Sequence, residues 1–442
     1  MSVNIHISKI LLSLVVSIIW TSRINAQTWT LQQCIDSAQV NNKNLQISRN
    51  TVLLGQQKHN EAIANLIPKI NAVADYRYYT DLPYQLIPMT MFGGPEGQFK
   101  ENQFGVPHNI NMNLQFTMPL YNSQILGAMR TNKIGSELSD LQYQKTEEQV
   151  FFDVSNIYYN AQILQQQILF IDSNLVNTKK LLQNMQLLKE QLMAKATDVS
   201  KIQLQLEQLS TQKELLTAKY DQILSLLKFS VGISQNQIFQ IETNIQYEKT
   251  DEYSNSETIE SQIVKTQNKL LMSELSTLKY SRLPSLSLYG TYGQTGFGYT
   301  EKPNDFLKFF PVGFVGVQFS YPLFNGTVTQ KKINQKKIEI QNSELQLDLI
   351  TEQNNMLTEN AKRQKATAQR TVETTLLQIK LAQTVYEQTI LQQKEGTATL
   401  TDVLLADNAL REAQQTYLSV VIDYLKADLE LKKLTGNLSI KN

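Results

Sequence analysis

The chain has 442 residues, and its 41 Lys and Arg balance 40 Asp and Glu at a formal charge of +1. That balance offers no bulk charge to a nucleic-acid partner. Only 17 Gly and 10 Pro occur, and long stretches of Leu, Gln, Lys, Glu, Ser and Thr run without them, a composition of long helices more than of several ordinary domains.

Lys9 precedes the apolar run Ile10 to Trp20, and Ala26 supplies a small residue for cleavage, so residues 1–26 read as a secretory signal. The mature chain is expected to start at Gln27, outside the cytoplasm and without transmembrane helices. Cys34, the only cysteine, falls within the helical pattern Thr30 to Ala38 as a small core residue.

Two segments then alternate with period two. After Pro68, Ile70, Ala72, Ala74, Tyr76 and Tyr78 share a face opposite Asn71, Asp75 and Arg77. Before Pro119, Ile110, Met112, Leu114, Phe116 and Met118 lie opposite Asn111, Asn113, Gln115 and Thr117. One apolar and one polar face describe a half-buried strand, either in a soluble sheet packed on helices or in a membrane barrel. Each run has roughly the 9–11 residues of a tilted membrane strand. Between them, Asp81 to Val106 is rich in Pro and Gly and reads as a long external loop.

From Val150 a mostly apolar seam steps by four and three through Val154, Ile157, Ala161, Leu164, Ile168, Ile171, Leu175, Thr178, Leu182, Met185, Lys189 and Leu192, with Thr178 and Lys189 its two polar members. It stops at Ala194 to Asp198 and resumes at Val199, Ile202, Leu206 and Leu209 as the returning arm of a helical hairpin. Asn122 to Lys195 as one helix would extend about 110 Å. Residues 233–261 are polar with little periodicity and read as a surface segment.

The second half repeats the first. Leu283-Pro284-Ser285-Leu286 answers Ile67-Pro68-Lys69-Ile70, Tyr321-Pro322-Leu323-Phe324-Asn325 answers Met118 to Asn122, and Thr401-Asp402-Val403 answers Thr197-Asp198-Val199. The strands recur more weakly, with Leu286, Leu288 and Tyr292 on one face, then Val315, Val317, Phe319 and Tyr321. All ten prolines lie at 68–119 or 284–322, leaving the hairpins uninterrupted. In the second turn Gly396 stands where a C-cap is expected, and Thr401 or Asp402 where an N-cap is. The expected organisation is a first repeat at 27–232, the polar segment at 233–261 and a second repeat at 262–442.

Four strands cannot close a barrel, and lipid tolerates no open edge. If they span a membrane, several chains must pool them: two chains give eight strands and a filled interior, three give twelve and room for a lumen. The basic cluster Lys331, Lys332, Lys336 and Lys337, with Arg130 and Lys133 at matching positions, reads as a solvated face or a contact with lipid head groups. Chemistry has little support. His6, His59 and His108 suit no metal spacing, and neither a phosphate-binding loop nor a nucleophile elbow occurs, so an enzyme and a bound cofactor are not expected.

In order and spacing these motifs resemble the TolC-type outer-membrane efflux protein family over essentially the whole mature chain. The residues that carry the likeness are Trp29 to Asn42, Leu283 to Leu286, Tyr321 to Gly326 and Gly396 to Val403. The resemblance implies a mainly α fold with a membrane β-barrel portion, in which long antiparallel coiled-coil hairpins form a tunnel. Each chain would give four strands to a homotrimeric twelve-strand barrel. It further implies a passive outer-membrane exit duct, docked to a periplasmic membrane-fusion adaptor and an inner-membrane transporter. Candidate docking tips are Thr197, Asp198, Gly396, Thr397, Thr399 and Asp402, and Asp402 is the candidate pore gate. Asp402 matches the first of two tip aspartates in the family's best-known member. Leu405 holds the second position, and Ala398 replaces an arginine that helps lock that tip. The alternative reading is a periplasmic coiled-coil tether without a pore.

Overall fold

The computed structural model describes residues 28–245, 253–254, 256–298 and 308–438; the expected signal at 1–26 lies outside them. In chain order the elements are β1 (Thr28–Trp29), α1 (Leu31–Asn41), α2 (Lys43–Ala64), β2 (Lys69–Tyr78), β3 (Tyr84–Pro88), β4 (Phe99–Gln103), β5 (His108–Tyr121), α3 (Ser123–Glu190) and α4 (Ala196–Val231). Then come β6 (Gln240–Ile241), α5 (Ile259–Tyr280), β7 (Ser285–Gly298), β8 (Lys308–Ser320), α6 (Val328–Lys394) and α7 (Leu400–Leu434).

The repeat is visible in the element lengths. Helices α2 and α5 both have 22 residues, α3 and α6 have 68 and 67, and α4 and α7 have 36 and 35. Each repeat thus runs helix, strand, strand, long helix, return helix. A helix of 68 residues is about 100 Å long. No helix among the described residues is long and apolar enough to cross a membrane.

Contacts divide the chain into two compact units that cut across both repeats. One comprises the described residues up to Asn50, those of Leu141–Gln262 and those from Asp348 onward; the other is Thr51–Asp140 with Ile263–Leu347. In the first unit a buried cluster joins Cys34, Ile35 and Ala38 of α1 to Val150, Val154, Tyr158 and Ala161 of α3 and to Leu227 and Val231 of α4. Cys34 is a fully buried core residue, and burial pushes its thiol up to about 12.

The segment after Val231 departs from the reading of a surface linker. Phe239 and Ile241 belong to that same core, and β6 pairs in parallel with β1. The Gln162 amide donates to the carbonyls of Glu242 and Asn244, and that of Gln166 to Thr243. Two apolar residues in a polar stretch have no periodicity to betray them, yet they are enough to fasten it to α3.

The second unit contains an antiparallel sheet of order β2-β5-β7-β8, with β5 and β7 joining the repeats. Register aligns the apolar faces across the strands: Ile70 with Phe116, Ala72 with Leu114 and Tyr292, and Phe116 with Gly290 and then Val315. Tyr76, Ile110 and Phe309 continue that face toward one end of the strands, and Leu286 and Phe319 toward the other. The expected loop at 81–106 carries structure of its own, since β3 and β4 pair as a hairpin around a 3-10 turn at Met89–Phe92. Pro and Gly mark where that chain turns but do not report pairing between the turns. Within the basic cluster, Lys336 is held by ion pairs to Glu274 and Glu339.

Candidate functional site

The two hairpin tips lie in the first unit and are built on one plan from different residues. In each, the long helix ends in a residue of left-handed conformation. This is Gly396 (φ 76°) in the second tip and Leu192 (φ 60°) in the first, and these two positions are 204 residues apart. The following amides bond back into the helix, Met193 N–H to the Leu188 carbonyl at 2.8 Å and Thr397 N–H to the Gln392 carbonyl at 2.9 Å. Glycine adopts this conformation at no steric cost, whereas a leucine there is strained by about 1–2 kcal/mol. Leu192 is 94% exposed and Met193 is 74% exposed, so neither repays the strain by burial. The seam expected to run on to Leu192 ends with the helix at Glu190.

The second tip is capped from both sides. Thr399, not Thr401 or Asp402, is the N-cap of α7: its hydroxyl accepts from the Asp402 N–H at 3.3 Å, and the Asp402 carboxylate accepts from the Thr399 N–H at 2.8 Å. The Thr399 hydroxyl also lies 2.6 Å from that carboxylate, and these bonds hold the Asp402 pKa below its ordinary range. In the first tip the equivalent cap position is Lys195, which has no acceptor and makes no side-chain cap. Asp198 is therefore not a cap; it sits in the first turn of α4 with Lys201 at 3.5 Å. Sequence alone shows acidic residues near both helix starts, and the three-residue shift between cap and partner decides their roles. Thr197, Gly396, Thr397, Thr399 and Asp402 are all exposed, Asp198 half-buried.

Below the tips the two hairpins share a core of Leu181, Met185, Ile202, Tyr386, Leu400, Val403, Ala406 and Leu410. Embedded beside it is a polar group that the seams did not reveal. Asp407, 4% exposed, accepts from the Gln205 amide and pairs with Arg411 at 3.1 Å. Burial raises the Asp407 pKa against the opposing pull of Arg411 and Gln205. Tyr386 is pushed up to about 12, first by burial and then by the Asp407 charge. The one sequence signal was the i,i+4 spacing of Asp407 and Arg411 on the buried side of a heptad. The Gln205–Asp407 bond ties α4 of the first repeat to α7 of the second.

Among the described residues, no group of three or more His, Cys, Asp or Glu is placed to hold a metal ion.

Comparisons with known proteins agree on one architecture. The profile of the family described as outer membrane efflux protein matches residues 34–232 and 279–437, one stretch in each repeat. No curated protein matches by sequence. Among solved structures, the outer membrane protein VceC of Vibrio cholerae is similar at 13% identity and a TM-score of 0.71, over 92% of this chain and 96% of that one. The Campylobacter jejuni CmeC outer membrane channel matches at 14% identity and 0.72, over 92% and 85%. The open state of the Neisseria gonorrhoeae MtrE outer membrane channel matches at 13% and 0.73, over 92% and 89%. At such identities the structures speak to fold alone.

Proposed function

Because this chain belongs to the outer membrane efflux protein family, whose members are outer-membrane channels and not enzymes, we propose that three copies of it form a passive exit duct served by a periplasmic adaptor and an inner-membrane pump. The observation that carries this reading is the four-stranded sheet. One of its faces is apolar, and among the described residues β2 and β8 each have a neighbour on one side only. A sheet with open edges has unpaired backbone groups, which lipid does not satisfy. Pooling four strands from each of three chains closes twelve around a lumen, whereas two chains would close eight around packed side chains. A coiled-coil tether would have no use for such a sheet.

The pump supplies the energy, and the duct supplies a path that opens at the tips. Leu192, Met193, Thr197 and Asp198 of one tip, with Gly396, Thr397, Thr399 and Asp402 of the other, form the proposed docking surface. Three copies of Asp402 repel one another around the closed pore. A photo-crosslinking residue at Thr399, followed in living cells by mass spectrometry, tests the docking. The expected capture is a periplasmic adaptor; a chain inserted in the outer membrane that captures none contradicts this reading.

A further inference from the structure

The face of the sheet opposite the apolar rows divides into two lanes. Strand β5 gives it Asn109, Asn111, Asn113 and Gln115, a run of amides. Strands β7 and β8 give it Tyr289, Phe297, Phe310 and Phe314, which register places on that same face: Gln115 faces Thr291 and then Phe314, and Asn111 faces Thr295 and then Phe310. The rings contact one another in pairs, Tyr289 edge-on to Phe314 at 6.0 Å and Phe297 against Phe310 at 6.1 Å. Tyr289 lies over Gly316, where a Cβ would approach its ring to 3.0 Å, so one ring face rests on backbone. Phe310 and Phe314 nevertheless remain 54% and 55% exposed. Tyr289 to Phe297 extends roughly 27 Å along the strand, at about 3.4 Å per residue. The charged residues on this face are Lys69, Asp75, Arg77 and Lys308, at the ends of the strands or on β2; Asp75 is paired with Arg77 at 2.9 Å and accepts from the Asn111 amide at 3.2 Å.

In a barrel the apolar rows face lipid, and this second face lines the water-filled interior. Side chains there are ordinarily polar, and the amide lane obeys that rule. The aromatic lane does not. Wet ring faces attract flat apolar surfaces by stacking, and amides alongside them offer donors and acceptors to a polar substituent. Hydrated inorganic ions gain nothing from such a wall. Resting on the duct reading above, we propose that the barrel lumen binds planar, ring-bearing amphipathic small molecules in passage, along the lane Tyr289, Phe314, Phe310 and Phe297, and so favours them as cargo.

The test uses the full chain in planar bilayers, with 2-naphthol as the probe and glucose as the ringless control. Naphthol reduces the current in a concentration-dependent way, and glucose at the same concentration does not. The double substitution Phe310→Thr/Phe314→Thr raises the half-blocking naphthol concentration about tenfold, read relative to each protein's own unblocked current. Phe309→Thr, on the lipid face, leaves it unchanged. If the double variant does not assemble, each single substitution makes the same comparison with a smaller shift. Equal block in wild type and variants overturns the proposal. So does a loss of trimer stability with block unchanged, which would mean that the rings pack on a neighbouring copy. If neither the wild-type chain nor one carrying Asp402→Asn at the closed tip conducts ions, the duct itself is refuted, and the lane with it.

Discussion

Leu192 and Gly396 occupy one structural position, yet only one of them suits it. Replacing Leu192 with glycine relieves the strained backbone and costs part of that gain in unfolded-state entropy. The expected net effect is about 0.5–1 kcal/mol in favour of the closed turn, seen as amide exchange at 188–196 slowed about two- to fivefold. Unchanged or faster exchange contradicts the strain. If Leu192 also meets the adaptor, the same variant weakens docking while steadying the tip, which would explain a strained leucine where glycine serves better. The Asp402 carboxylate caps α7, and under the proposed function it also charges the pore. Asp402→Asn retains an acceptor for the Thr399 N–H and removes the charge, so it is expected to raise single-channel conductance severalfold with α7 intact. Asp402→Ala raises conductance too but frays the first turn of the helix. Equal conductance in all three proteins rules out the charge as gate.

At the scale of elements, the helices were legible because heptads and absent prolines leave few other structures open to such a chain. Val154, Ala161, Ile202 and Leu209, read as seam, are all buried. The strands were legible through alternation. What was hidden lacked a period: Phe239 and Ile241 beneath a polar segment, the β3–β4 hairpin inside a loop, and the caps, whose roles depend on a single residue of offset. Buried charge was hidden as well, because a carboxylate on a coiled-coil face looks the same in sequence whether solvent or a neighbouring helix meets it. Glu148 on α3 illustrates this. Burial first, and the charge of Glu260 next, push its pKa to about 7, against Lys433 and Lys145. Its unfolded value is roughly 4.3. The folded chain therefore holds this proton more tightly, and stability rises as pH falls through 7, with the gain complete near 4. Glu148→Gln is expected to raise the melting temperature of the detergent-purified protein at pH 8 by about 2–4 °C, and to have no effect near pH 4. A difference constant across that range contradicts a titrating Glu148.

For the whole molecule, the sequence supplies two copies of one plan, and the sheet joins them through β5 and β7. That joining leaves β2 and β8 as edges and gives the sheet an apolar face, a pair of features that a single chain cannot reconcile with lipid. The tips, the buried tie through Asp407 and the aromatic lane gain a common purpose only if the edges of separate copies meet. Stoichiometry is therefore the claim on which the rest depends. It is read most directly from the mass of the complex extracted from the outer membrane in mild detergent, by native mass spectrometry. Three chains are expected, resistant to high salt and dissociated only when the sheet is denatured. A particle of one or two chains, which leaves open edges or a filled interior, would contradict it.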